Sequence, residues 1–390
     1  MRRPKGFTPP KLPKTPGVDW EQLFSNMGQD PSGWGASPTG GGKLQQTTDF
    51  GANPGELMMF SHVPENLPAG APLVVILHGC GQSAAAYDRG AGWSTLADRF
   101  GFAVLAPEQN RTKHINGCFN WFLAGDTTRG GGEVASVRQM VAHAVAEHRL
   151  DPNRVYVTGL SAGGGMTSAL LAAYPEVFAG GAIIAGLPYG AAASVNEALG
   201  TMRQPPDRSR RQWGDAVRNA SGHKGNWPKI SVWHGDADFT VSAANAEAIV
   251  DQWSDVHGLS AKPTYQHTVN GYPRQVWRDA DGAEVIESYT LAGLGHGTPI
   301  HPGQGADQCG AVGPFILLAG ISSSYEIAKF WGLTTAMANN ASLTPVTYTP
   351  PPPEAAPKTA PLPPHAWAAL PNDGPQEVIE RALRAAGLLK

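Results

Sequence analysis

The run VYVTGLSAGGGM, Val155 to Met166, constrains the fold of this chain more than any other stretch. Val155 to Thr158 are β-branched or aromatic and form a short apolar run, the composition of a buried strand. Met166, Ala169, Leu170 and Ala173 then recur at the spacing of one helix face. Between strand and helix stand only Gly159, Leu160, Ser161, Ala162 and Gly163. So sharp a turn crowds the backbone, and residues without a Cβ are needed on both sides of the serine if its hydroxyl is to stand clear. A strand that passes at once into a helix belongs to a sheet whose strands run mostly parallel.

The same alternation extends from Thr47 to about Leu333. Strands are expected at Leu57 to Val63, Leu73 to Leu77, Ala103 to Ala106, Val155 to Thr158, Ala182 to Ala185 and Ile230 to Trp233. Helical spacing is carried by Trp93, Leu96, Ala97 and Phe100, and again by Val134, Val137 and Val141. With 41% hydrophobic and 16% charged residues the chain can fill a large core. Residues 47–335 are therefore read as one α/β domain: a mostly parallel central sheet with helices on both faces. The stretch from Tyr189 to Trp227 falls between two strands and is expected to form a small cap. Residues 1–46 are rich in Gly, Pro and Ser and are read as a flexible arm. Residues 345–371 form a proline-rich linker, and 372–390 carry the signals of one short helix.

Several function classes are disfavoured at once. A formal net charge of −3 gives no electrostatic footprint for nucleic acid. No apolar run approaches the roughly 20 residues that span a bilayer. The start, MRRPKGFTPPKLPKTPG, lacks the apolar core of an export signal, which points to a cytoplasmic location. Three cysteines, Cys80, Cys118 and Cys309, are too few for a disulfide scaffold and lack zinc-ligand spacing, so no metal is expected.

The turn at Ser161 has the G-x-S-x-G form of a nucleophile elbow. A serine hydroxyl becomes a nucleophile only beside a base, and on such a sheet the acid and then the histidine follow it along the chain. In KISVWHGDADFTV, Asp238 lies just past a strand end, where catalytic groups gather, with Asp236 as its rival. His296, in the glycine-flanked loop GLGHGT, is preferred as base over His257, His267, His301 and His365. Acyl transfer also needs amides aimed at the oxyanion, and the expected donors are the backbone N–H groups of Ala162 and of Cys80 in LHGCGQ. The Cys80 side chain is either a small buried hydrophobe or a partner for Cys118; its position next to the elbow leaves both open. A two-step acyl transfer of this kind requires no cofactor.

Taken together, LHGCGQSAAAYD, GCFNWF, GLSAGG, WHGDADFTV, GHG and GISSSYEIAKFWGL resemble the polyhydroxybutyrate depolymerase-like esterases of the α/β-hydrolase type. The resemblance covers about Phe50 to Leu333. It implies a carboxylic ester hydrolase with Ser161, Asp238 and His296 as triad and Cys80 and Ala162 at the oxyanion. Feruloyl and acetylxylan esterase-like enzymes share this family, so a small or oligomeric ester is the implied partner and its identity stays open. Many members are exported, against the reading of the N-terminus. Phe119 stands where family members often carry a tryptophan, and Tyr87, Phe119 and Trp121 are expected as an aromatic wall of the substrate pocket. Arg208, Arg210 and Arg211 of the cap could steer an acidic ester. The rivals are an acyltransferase on the same site and, from another class, an inactive scaffold that binds a partner through the C-terminal helix.

Overall fold

The computed structural model describes residues 42–335. Its strands are β1 (Gln45–Thr47), β2 (Met58–His62), β3 (Leu73–Leu77), β4 (Ala103–Glu108), β5 (Val155–Leu160), β6 (Gly180–Ile184), β7 (Lys229–Gly235), β8 (Tyr265–Val269), β9 (Tyr272–Arg278), β10 (Glu284–Leu291), β11 (Thr298–Ile300) and β12 (Ile316–Leu318). The helices are α1 (Ala84–Ala91), α2 (Trp93–Phe100), α3 (Ala124–Thr127), α4 (Gly132–Glu147), α5 (Ala162–Ala173), α6 (Val195–Arg203), α7 (Arg210–Ser221), α8 (Ala244–Val256) and α9 (Ser323–Phe330). The linker and terminal helix expected at 345–371 and 372–390, and most of the arm expected at 1–46, lie outside the described residues.

Ten strands form one sheet in the order β1-β2-β4-β3-β5-β6-β7-β10-β9-β8. The central run from β4 through β3, β5, β6 and β7 to β10 is parallel throughout. Antiparallel pairs close both ends, β1 and β2 on one side and β9 and β8 on the other. The chain has the α/β-hydrolase fold.

Alternation along β3 divides the core. Leu73, Val75 and Leu77 face the layer of Met140, Val141, Met166 and Leu170 from α4 and α5, while Val74 and Ile76 face Tyr87, Trp93 and Leu96 from α1 and α2. All five β3 side chains are buried, as a parallel strand covered on both faces requires. The cap falls between β6 and β7 and consists of α6 and α7. Ser209 closes the start of α7 in a capping box with Gln212. Gln252 of α8 donates to the carbonyls of Tyr189 and Trp213, which ties the cap to the domain.

Candidate active site

Ser161 sits between β5 and α5 with φ 56° and ψ −116°, a backbone conformation that a side-chain-bearing residue adopts only under strain. Its N–H is held by the carbonyl of Ile184 at 2.9 Å. Ala162 is the first residue of α5, where amide groups have no acceptor within the helix. The flanking glycines are required by close approach. A Cβ on Gly159 would stand 2.3 Å from the Gly163 carbonyl oxygen, and one on Gly165 would stand 2.7 Å from the Trp121 ring.

Asp238 and His296 leave the same edge of the sheet. Asp238 follows β7, His296 follows β10, and both strands run parallel to β5, so all three residues lie beyond carboxyl ends. The two loops nest tightly, since a Cβ on Gly235 would meet the Leu294 carbonyl at 2.1 Å. Asp236 secures the second loop by accepting the Gly293 N–H at 2.6 Å. That occupies the rival carboxylate. Asp238 accepts the amides of Thr240 and Val241 on Oδ1, at 2.8 and 2.9 Å, and Nδ1–H of His296 on Oδ2, at 2.7 Å. Burial works to raise the Asp238 carboxyl, but the bonds from His234, His296 and the Val241 amide prevail and hold it well below the usual carboxylate range. A carboxylate fixed on Nδ1 leaves the His296 Nε2 lone pair free to take a proton.

The loop after β3 is fastened at each residue around Cys80. Gly79 N–H donates to Gln82 Oε1 at 2.9 Å, Gly81 N–H donates to Asn116 O at 2.8 Å, and Cys80 itself forms a disulfide with Cys118. Among the described residues none accepts the Cys80 N–H. Behind it, His78 donates Nδ1–H to the Gly79 carbonyl and accepts Gln109 N–H on Nε2. This uses both ring nitrogens of the neutral form, and burial lowers His78 to about 4.

The aromatic wall expected from Tyr87, Phe119 and Trp121 does not form. Tyr87 is fully buried in the core on one face of the sheet, whereas Phe119 and Trp121 belong to the core on the other. Phe119 is packed on the His78 ring, 4.8 Å between centroids. Trp121, 8% exposed, lies against Gly165 of α5. Of the other histidines, His257 bonds to the Pro228 carbonyl, His301 pairs with Gln308 and His267 is on β8; His365 lies outside the described residues. Of the cap arginines Arg208, Arg210 and Arg211, two are engaged in packing, while Arg211 is exposed and pairs with Asp215 at 3.6 Å. Arg210 bonds to Ser254 Oγ and the Leu259 carbonyl, and Arg208 stacks over Trp213.

The family model described as esterase PHB depolymerase matches residues 63–267. Poly(3-hydroxyalkanoate) depolymerase C of Paucimonas lemoignei is 50% identical over 291 residues, spanning 74% of this chain and 70% of that one. The chain belongs to the PHB depolymerase esterase family. Acetylxylan esterase of Coprinopsis cinerea is 35% identical over 66% of this chain and 70% of its own length. The solved acetyl xylan esterase from Aspergillus awamori superposes with a TM-score of 0.62 at 25% identity, covering 75% of this chain and all of that one. The protein is a carboxylic ester hydrolase.

Two parts of this esterase escaped the sequence reading. His234 stands beside Asp238; the H-G-x-x-D spacing that favours Asp238 contains it, but that spacing assigns it no role of its own. The second is a buried polar network behind the disulfide. Glu133, at the start of α4, accepts Asn120 N–H and Nδ2–H at 2.9 Å each and also a bond from Gln109, whose amide in turn donates to the Cys118 carbonyl. Burial, reinforced by Asp126, pushes the Glu133 carboxyl up to about 8. These contacts span 9 to 24 residues and leave no periodic trace in the sequence.

Proposed function

We propose that this esterase cleaves its substrate through an acyl-enzyme on Ser161, with His296 as base and Asp238 as the carboxylate that orients it. The observation that carries this is the 2.7 Å bond from His296 Nδ1 to Asp238 Oδ2, on the sheet edge from which the strained Ser161 turn projects. Ser161 Oγ attacks the ester carbonyl as His296 Nε2 takes its proton; the same imidazole returns the proton to the departing alcohol, and water then repeats the sequence to release the acid. The Ala162 and Cys80 amides stabilise the oxyanion in each half.

Hydroxyalkanoate oligomers or short-chain aliphatic esters are the proposed substrates. Support comes from the relative named as a poly(3-hydroxyalkanoate) depolymerase, at 50% identity. Acetylated or feruloylated polysaccharide is the second reading, favoured by the acetylxylan esterase similarity in sequence and structure. Hydrolysis of a 3-hydroxybutyrate oligomer, a short-chain p-nitrophenyl ester and acetylxylan would be compared in wild type and Ser161→Ala. Loss of about a million-fold in kcat on the variant is expected. Retention of rate would end the triad reading.

Steering of an acidic ester by the cap is supported least, because Arg208 and Arg210 are already committed to Trp213, Ser254 and Leu259. The Cys80–Cys118 disulfide supports an exported location over a cytoplasmic one, since such bonds persist in oxidising compartments. Cell fractionation with an antibody to the chain would decide between them.

A further inference from the structure

The Asp238 carboxylate is faced by a second imidazole. His234, 3% exposed, places Nε2 at 2.8 Å from the Val241 carbonyl oxygen and at 3.3 Å from Asp238 Oδ2. Both neighbours only accept, so the hydrogen sits on Nε2, bonded to the Val241 carbonyl with Asp238 Oδ2 close beside it. Its Nδ1 is buried with no partner among the described residues. A surface histidine closing a turn has no need of such burial.

We propose that His234 is a positioning residue for the triad: by donating to Asp238 Oδ2 it fixes the plane of the carboxylate and moderates the pull of that carboxylate on His296. The inference rests on the triad reading above. Oδ1 is held from one side by the Thr240 and Val241 amides. On the other side Oδ2 receives His296 and has His234 Nε2 at 3.3 Å, and the Val241 carbonyl that takes the His234 hydrogen bond belongs to the residue whose amide holds Oδ1. The three residues thus form a closed ring. Without His234, Oδ2 keeps His296 as its single donor and is held less firmly than Oδ1.

The charges around this ring are few. The loop after β10 contributes His296, and β7's own end contributes Asp236, which is exposed and accepts Gly293 N–H. The neighbouring ends of β6, α6 and α8 are joined through neutral groups, Ala185 N–H to the Trp233 carbonyl and Asn245 Nδ2–H to the Thr201 carbonyl. Removing the His234 donor therefore leaves more of the Asp238 charge acting on His296. The protonated imidazole is then favoured, and since the base must be neutral the acid limb of the rate profile moves to higher pH.

The experiment is the pH profile of kcat and KM on a soluble p-nitrophenyl ester for wild type, His234→Leu and His234→Gln. In His234→Leu we expect kcat lowered several-fold with KM little changed, and the acid limb displaced to higher pH. The Gln amide reaches where Nε2 stood and should restore the wild-type profile. A Leu variant whose kcat and acid limb overlay wild type would overturn the proposal. Should that variant not fold, nitrogen-15 histidine NMR of the wild type serves instead: His234 is expected to carry its hydrogen on Nε2 under assay conditions, and a hydrogen on Nδ1 would overturn the proposal equally. Failure of the triad reading itself is a separate result, seen as Ser161→Ala retaining its rate.

Discussion

Gly163 lies so close to Leu77 that a Cβ on the glycine would stand 2.3 Å from the Leu77 carbonyl oxygen and 2.6 Å from that of His78. The first turn of α5 therefore rests directly on the end of β3, and this contact brings the elbow beside the Cys80 loop. Gly163→Ala should cost several kcal/mol, since neither backbone can yield without moving the sheet. Gly200, exposed in α6 with nothing within 4 Å of its added Cβ, is the control. There alanine should stabilise by about 1 kcal/mol. Thermal unfolding of both variants tests the contrast, and a Gly163→Ala protein with wild-type Tm would contradict the packing.

Asp238→Asn should be more damaging than its size suggests. Oδ1 is pinned by two amide N–H donors, so the asparagine must turn its oxygen to them and its NH2 toward His296 Nδ1. The imidazole then carries its hydrogen on Nε2 and can no longer accept from Ser161. A loss of about ten-thousand-fold in kcat is expected with the fold intact. Kinetics together with circular dichroism would check it; a loss below tenfold would mean that another carboxylate orients the base.

His78 sets a pH dependence of stability. Its folded value is lowered to about 4 from 6.5 by burial, so the unfolded chain takes up a proton that the folded one refuses. Stability from this residue is fully present above about pH 6.5 and is lost as pH falls toward 4, by about 3 kcal/mol in total. His78→Asn keeps a side-chain donor near the Gly79 carbonyl but cannot titrate. Urea unfolding between pH 7 and 4.5 should show a shallower decline for the variant, and parallel declines would refute the assignment.

Thiol chemistry reads the Cys80–Cys118 bond directly. Cys309 is the third cysteine and is 2% exposed. In native protein no thiol should react quickly, in unreduced unfolded protein one, and after reduction three. The bond closes a loop with a sequence separation of 38 and its loss should cost about 2–4 kcal/mol. Reduction should also lower kcat by loosening the Cys80 amide. Three reactive thiols without reductant would show that the bond does not form.

Val155 to Met166 could be read without tertiary information because strand, turn and helix are each decided within a few residues. Alternation gives the strand, spacing gives the helix, and the glycines give the turn. The Asp238 and His296 positions were legible for a related reason: each follows a strand end, and in a parallel sheet every such end opens on one edge.

What spacing along the chain does not encode is which strands become neighbours and which face a side chain joins. The order β4-β3-β5 brings the loops holding Cys80 and Cys118 together. The two-faced core sends Tyr87 to one side and Phe119 and Trp121 to the other, so three aromatics that looked like one wall lie on two faces. His234, Glu133 and the antiparallel β8 and β9 edge likewise acquire their surroundings only on folding. Local propensity and periodicity are properties of neighbouring residues and so are written in the sequence. Burial, pairing and shared hydrogen bonds depend on groups tens to hundreds of residues apart, and only the packed structure decided them.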